Sequence, residues 1–298
     1  MDAEMNALSR SLVVELAGSI GLRNSQLAQR VIWPIFRPVT DRLARIGLTF
    51  DRNVLQNGIS KAMGIALEEF ASRVRARGTE ALPPEGPLLV LSNHPGTYDS
   101  LVITSQLRRD DLNFISGDIP FLRTLPHANQ NFYCISDEAN GRMLAARKAI
   151  RHLREGGAML LYGCGHIDPD PAIYDDADKV LESWSPSIDL FLKSAPKTRI
   201  LLSIVSNVVA KKWWNSFLYR LRSDPVDRRR LVEFGQVIFQ LLFPRRLRTD
   251  PYISFASPVG VDELRSESRS DHVLPAVIAR AKALLAEHMA WVKSLPNG

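Results

Sequence analysis

Between Pro87 and Asn207, short apolar runs alternate with stretches of helical periodicity, and that alternation restricts the chain to one broad architecture. The apolar runs lie at 87–92, 112–116, 130–135, 157–162 and 199–206, and the helical stretches at 97–109, 138–155 and 178–194. Runs this short, rich in branched aliphatics and bounded by Pro, Gly and Asp, suit strands buried on both faces. Strands separated by helices predict an α/β domain with a largely parallel central sheet flanked by helices. Residues 252–257 predict a last strand and 272–294 a closing helix. No internal repeat is visible.

Ahead of this domain, placed at 78–298, residues 1–77 predict a helical subdomain. Gln26 to Ile46 mixes Leu27, Val31, Trp33, Ile35, Phe36, Val39 and Leu43 with Arg30, Arg37, Arg42 and Arg45. Pro34 and Pro38 each remove a backbone donor and are expected to bend or interrupt that helix. A second helix is expected from Ile59 to Arg77, with Met63, Ile65, Ala66, Phe70 and Val74 towards one face. The subdomain is either simply packed, or it offers an apolar groove or basic face to lipid.

With 298 residues, 45% of them apolar and 23% charged, the chain has enough material for one large core. Cys134 and Cys164 are its only cysteines, which gives no disulfide framework and suits a reducing cytoplasm. Met1-Asp2-Ala3-Glu4 lacks the basic start of a signal peptide. No uncharged apolar stretch approaches the ~18–20 residues that span a bilayer. The expectation is a cytoplasmic protein, peripheral on the inner face of a membrane.

The membrane part rests on where the charge lies. Net charge is +6, and Lys211 to Arg248 holds ten Lys or Arg against three acids, a net of +7 that accounts for the whole excess. Lys211, Lys212, Trp213 and Trp214 open the segment, and Arg228, Arg229 and Arg230 precede an apolar helix from Leu231 to Phe243. Interfacial aromatics interleaved with cations suit an anionic membrane surface. Packed helices with solvated arginines are the plainer alternative. No nucleic-acid motif accompanies the charge, so nucleic acid is not expected as a partner.

The chemistry is concentrated at the end of the first strand of the α/β region. Leu88 to Ser92 runs into Asn93, His94, Pro95 and Gly96, and Asp99 follows where a helix begins. Open α/β sheets place their sites at such strand-to-helix turns. An imidazole takes a proton from an alcohol near neutral pH if a carboxylate fixes its tautomer and offsets the developing imidazolium. Asp99 does this for His94 if the Pro95-Gly96 turn folds the chain back.

Ser92-Asn93-His94-Pro95-Gly96-Thr97-Tyr98-Asp99 resembles the N-H-x-x-x-x-D block of the glycerolipid acyltransferases, the family that includes lysophosphatidate acyltransferases. Gly78 to Pro83 and Gly86-Pro87 resemble its lead-in, and the similarity runs from about residue 78 to about residue 210. The resemblance implies acyl transfer from acyl-CoA or acyl carrier protein to a lipid hydroxyl, with His94 as base and Asp99 orienting it. It implies no metal or prosthetic group, the acyl donor being a cosubstrate, and it places Asn93 and Gly96 beside the substrates.

Later blocks depart from the family pattern. After Ile135 the family carries an Arg that helps bind the acceptor's phosphate, and none stands there. Arg123, Arg142 and Arg147, with Lys148, are the candidates to replace it, unless they are solvated charges. The third block is usually an aromatic followed by Pro-Glu-Gly-Thr; here it is Tyr162-Gly163-Cys164-Gly165-His166. Gly163 and Gly165 preserve backbone amides that can cradle an oxyanion or an anionic acceptor, and Cys164 and His166 stand for Glu and Thr. In the fourth block, Ile200 to Ser206, Ser203 stands where Pro is common.

Two further readings of the third block are open to the residues alone. Cys164 is either an acyl-accepting nucleophile or a small buried residue. His166, Asp168 and Asp170 have the chemistry of metal ligands, but the intervening Pro169 and Pro171 favour a turn-rich loop, and no metal is expected. The function read from the sequence is therefore an O-acyltransferase acting on a lysophospholipid, glycerolipid or other lipid. Its alternatives are a non-catalytic lipid or acyl-chain binder and an acyl-thioester hydrolase.

Overall fold

The computed structural model describes residues 9, 12, 26–135, 139–221 and 223–296. The central strands are β2 (Leu88–Ser92), β3 (Leu112–Gly117), β4 (Phe132–Ile135), β5 (Ala158–Tyr162) and β6 (Arg199–Ser206). They lie side by side in the order β6-β2-β5-β3-β4, with every neighbouring pair parallel. Three short strands extend the sheet at one side. β7 (Tyr252–Phe255) and β8 (Val259–Gly260) run antiparallel to β6, and β1 (Arg75–Arg77) runs parallel to β7. The sheet is thus mixed and mostly parallel, as the alternation of strand and helix requires.

Alternating side chains of the buried strands divide the core in two. Leu88, Val90, Leu160, Leu201 and Val205 face helices α1 (Gln26–Asn57), α2 (Ile59–Leu67) and α3 (Asp99–Leu107). Leu89, Leu91, Met159, Leu161, Leu202 and Ile204 face α4 (Ala139–Arg154), α5 (Ser187–Ser194) and α7 (Leu274–Ser294). All five residues of β2 are buried. Each fully buried Leu contributes about 1.5–3 kcal/mol over an exposed one, which fixes β2 as the rail on which the site is mounted.

The N-terminal helices differ from expectation in two respects. Helix α1 runs through Pro34 and Pro38 instead of stopping at them. Val39 and Thr40, buried beyond the second proline, anchor it against the body, and tertiary burial outweighs the two lost backbone bonds. The expected helix from Ile59 ends at Leu67, and Arg75–Arg77 is a strand at the sheet edge. Val39, Ile59, Met63 and Phe70 share one apolar cluster with Val90, Tyr98 and Val102, so this segment is built into the α/β core.

The basic segment folds as a short helix at Lys211–Trp214, a 3-10 turn at Phe217–Leu221 and helix α6 (Pro225–Leu242). Asp224 caps α6, its carboxylate accepting from the N–H groups of Val226 and Asp227 at 2.9 Å each. Val237 and Leu241 of α6 pack on the same face of the sheet as α3. No helix among the described residues is long and apolar enough to cross a membrane.

Candidate active site

β2 ends where its backbone pairing with β6 is taken over by a side chain. Asn93 donates from Nδ2 to the carbonyl of Val205 and accepts the Val205 N–H on Oδ1, both at 2.8 Å. Its amide is buried and spans both backbone groups of Val205, so Asn93 holds the strand end. The next residue is His94, thrown clear of the sheet, its side chain 22% exposed.

The Pro95-Gly96 turn then returns the chain. Asp99, the first residue of α3, is completely buried, with Oδ2 2.7 Å from Nδ1 of His94. The same oxygen accepts the Gly96 N–H at 3.2 Å, and Oδ1 accepts the Tyr162 hydroxyl. Gly96 is required by close approach: a Cβ there would come within 2.9 Å of Val208 Cγ1 and 3.4 Å of Glu233 Cγ. The Gly96 amide helps position Asp99. Nδ1 of His94 bears its proton towards Asp99, which leaves Nε2 as the basic nitrogen.

Burial by itself lowers the His94 pKa, but the charge of Asp99 and the hydrogen bond to it, with Asp168 and Glu233 behind, outweigh that and raise it above the ordinary 6.5. The Tyr162 ring stacks on the imidazole, centroids 4.0 Å apart and planes inclined by 14°. Burial first, then the Asp99 carboxylate, drive the Tyr162 pKa far above its usual 10, so Tyr162 is a phenol that donates.

Two carboxylates brace the turn from outside it, and the sequence marks neither for this part. Glu233 of α6 accepts the Thr97 N–H at 2.6 Å. It is buried on the same helical face as Gln236 and Gln240, and that polar stripe at spacings of three and four within an apolar helix is the signal that marks it. Gln236 in turn donates to the Val208 carbonyl at 2.9 Å. Asp168 accepts the His94 N–H at 2.9 Å on Oδ2, while its own N–H donates to the His94 carbonyl at 2.7 Å.

A cavity of about 350 Å³ opens beside His94. Phe114, Ile115, Ile119, Phe132, Ile135 and Ile167 form much of its wall, with Thr97, Ser100 and Ser116 at polar positions. Gly165, at φ 75°, also borders it, as does Tyr162. Gly163 does not, and its N–H, expected to steady an oxyanion, is already paired. The Gly163 N–H donates to the Ser92 carbonyl at 3.2 Å, and a Cβ there would overlap the buried Trp184 ring at 2.2 Å. Burial, then Asp168, push the Cys164 thiol well above its usual range, surroundings that do not favour the thiolate a nucleophile needs.

The three arginines proposed for an acceptor phosphate are not among the residues lining this cavity. Arg123 is 60% exposed and pairs with Asp118. Arg142 and Arg147 are exposed on α4. Ser136 and Asp137, which follow Ile135 in the second block, lie outside the described residues. The metal-ligand trio suggested by the sequence is also redistributed. Asp170 lies apart with its own partners, and Cys164 joins His166 and Asp168, the ligand atoms of these three all within 4.8 Å of one another.

In the basic segment, the aromatic side chains are used mainly within the protein. Trp213 packs on Phe239, and Trp214 meets Tyr174 and Tyr219 edge-on. Arg228 lies over the Tyr219 ring at 4.9 Å and Arg229 over Tyr174 at 5.9 Å. Lys211, Lys212 and Arg230 are exposed, and so are Phe217, 72% exposed, and Leu221, 58% exposed. Arg222 lies outside the described residues.

No protein-family model and no curated protein matches the chain. Among solved structures, it is similar to the 1-acyl-sn-glycerophosphate (LPA) acyltransferase PlsC from Thermotoga maritima. Identity is 16% over 97% of this chain and 97% of that one, with a TM-score of 0.50. At that identity the likeness shows the fold alone: the α/β architecture is shared with that acyltransferase.

Proposed function

We propose that this protein is an O-acyltransferase that moves an acyl group from a CoA or acyl carrier protein thioester to the hydroxyl of a lipid. The observation that carries the reading is the 2.7 Å contact between His94 Nδ1 and Asp99 Oδ2 at the mouth of an apolar cavity. In this reading Nε2 of His94 takes the acceptor's hydroxyl proton as its oxygen attacks the thioester carbonyl. The tetrahedral intermediate then expels the thiolate, and Nε2 returns the proton to sulfur. Asp99 keeps the tautomer and offsets the imidazolium charge, an arrangement worth about 10²–10⁴-fold in rate. The cavity beside His94 supplies an apolar wall for an acyl chain, and the likeness in fold to PlsC agrees with glycerolipid chemistry.

Attachment to an anionic membrane surface belongs to the same proposal. Lys211, Lys212 and Arg230, with exposed Phe217 and Leu221, supply the charge and the apolar contacts. The direct test is incubation with labelled acyl-CoA or acyl carrier protein and a panel of lysolipids, read by mass spectrometry. Acylated lipid supports the transferase. Free fatty acid alone points to a thioester hydrolase, and bound but unreacted lipid points to a carrier.

A further inference from the structure

Two aspartates on the loop after β5 are almost completely buried, and their surroundings are opposite. Asp170, 1% exposed, accepts four backbone N–H groups. Ala172 and Asn207 reach Oδ1 at 2.9 Å each, and Val208 and Val209 reach Oδ2 at 2.8 and 3.1 Å. Both its oxygens are hydrogen-bonded to backbone N–H groups, and it ties the loop to the end of β6. Asp168, 3% exposed, has one such donor, the His94 N–H on Oδ2. Among the described residues, Oδ1 faces the Cys164 sulfur at 2.6 Å and Nδ1 of His166 at 3.9 Å. A thiol is a weak donor, and a buried carboxylate oxygen without a strong partner is costly. Such an oxygen calls for a cation.

The three groups around that oxygen are one sulfur, one imidazole nitrogen and one carboxylate oxygen, clustered within 4.8 Å. They stand at alternate positions, and Gly165 between the first two adopts φ 75°, a conformation that costs glycine little and other residues more. We infer that Cys164, His166 and Asp168 form a binding site for a divalent transition-metal ion, with zinc as the best match. Mixed S, N and O ligation suits Zn²⁺, whereas Mg²⁺ and Ca²⁺ prefer oxygen alone. Binding exchanges the Cys164 S–H bond for a sulfur–metal bond and releases one proton to solvent. Thiolate and carboxylate together neutralise the ion's two positive charges. Because the other Asp168 oxygen holds the His94 backbone, the ion braces the loop against the strand end that carries the base. The site stands on the cluster itself and is independent of the acyl-transfer reading.

The test uses the untagged full-length chain, stripped with a chelator and titrated with Co²⁺ and then Zn²⁺. The expected result is one Co²⁺ per chain with tetrahedral d–d bands and a thiolate-to-cobalt charge-transfer band, both removed by one equivalent of Zn²⁺. Cys164→Ser should abolish the charge-transfer band and weaken Zn²⁺ binding by at least about tenfold, the lower end of the range for disturbing a metal site. His166→Ala should weaken it similarly, and since His166 is 44% exposed this variant guards against simple unfolding. Absence of a thiolate band, or Zn²⁺ affinity unchanged in His166→Ala, overturns the site and leaves a thiol–carboxylate contact.

Discussion

Tyr162 lies flat against His94 and at the same time donates its hydroxyl to the carboxylate that orients His94. One side chain therefore fixes both members of the pair, the imidazole by its face and Asp99 by its phenol. Tyr162→Phe keeps the face and removes the hydroxyl. It should lower kcat by about tenfold, the scale of one hydrogen bond to a charged group. Tyr162→Leu removes both and should cost more. Equal activity in the two variants and the wild type would mean that the stack is only packing.

His94→Ala should lower kcat by about 10²-fold or more, with a smaller loss of stability than Asp99→Ala, because the imidazole is partly exposed and Asp99 keeps the Gly96 N–H and the Tyr162 hydroxyl. Asp99→Ala is different. It leaves the Tyr162 hydroxyl and the Gly96 N–H without their buried acceptor, so activity and stability should fall together, stability by about 1–3 kcal/mol. Turnover by a well-folded His94→Ala protein comparable to wild type would remove the proposed mechanism.

The pH profile tests the same pair without deleting the base. In the proposed mechanism the basic form of His94 is the active one, so kcat/KM should fall as pH drops through its pKa, which is raised above 6.5. The acid limb should accordingly lie higher than for an ordinary histidine. In Asp99→Asn the raising charge is gone and the lowering effect of burial remains. The acid limb should then move to lower pH even as the plateau falls. A limb that stays in place would assign it to another group.

The strands were legible because burial on both faces writes them as continuous apolar runs, and His94 and Asp99 because a turn joins them over five residues. Their supports were not. Glu233 reaches Thr97 across 136 residues and Asp168 reaches His94 across 74, separations that no local pattern records. Glu233 counted in the sequence as one acid in a basic segment, although its place on a buried helical stripe makes it structural. Arg75–Arg77 reads as helix in the sequence because its pairing partner, β7, lies far along the chain. Asn93 and Gly163 read as substrate contacts because the sequence does not show that Asn93 pairs with Val205 and the Gly163 N–H with Ser92.

Membrane attachment should follow the exposed charges of the basic segment. Arg228 and Arg229 lie over tyrosine rings, so reversing them mixes loss of charge with loss of packing. Lys211→Glu, Lys212→Glu and Arg230→Glu together change charge on exposed positions. This triple variant should lose most binding to vesicles containing anionic lipid, and wild-type binding should weaken as salt shortens the screening length below ~8–10 Å. Phe217→Ser tests the apolar contribution separately. Salt-independent binding, unaltered in the triple variant, would leave the patch as a solvated face.

The acceptor is the last expectation, and it follows from which cations are near the base. A phosphate monoester is held best by arginine through paired, charge-assisted hydrogen bonds. The lining of the cavity beside His94 includes no Lys or Arg among the described residues, and Arg123 is paired with Asp118. No Arg follows Ile135, and Cys164 and His166 stand where the resembling family has Glu and Thr. Lysophosphatidate should therefore not be the preferred acceptor, and a neutral or sugar-bearing lipid hydroxyl should react with the higher kcat/KM. Competition between the two classes at matched concentration measures this directly. A clear preference for lysophosphatidate that disappears in Arg142→Gln or Arg147→Gln would show instead that α4 supplies the phosphate contact from the side of the sheet where the second block has lost it.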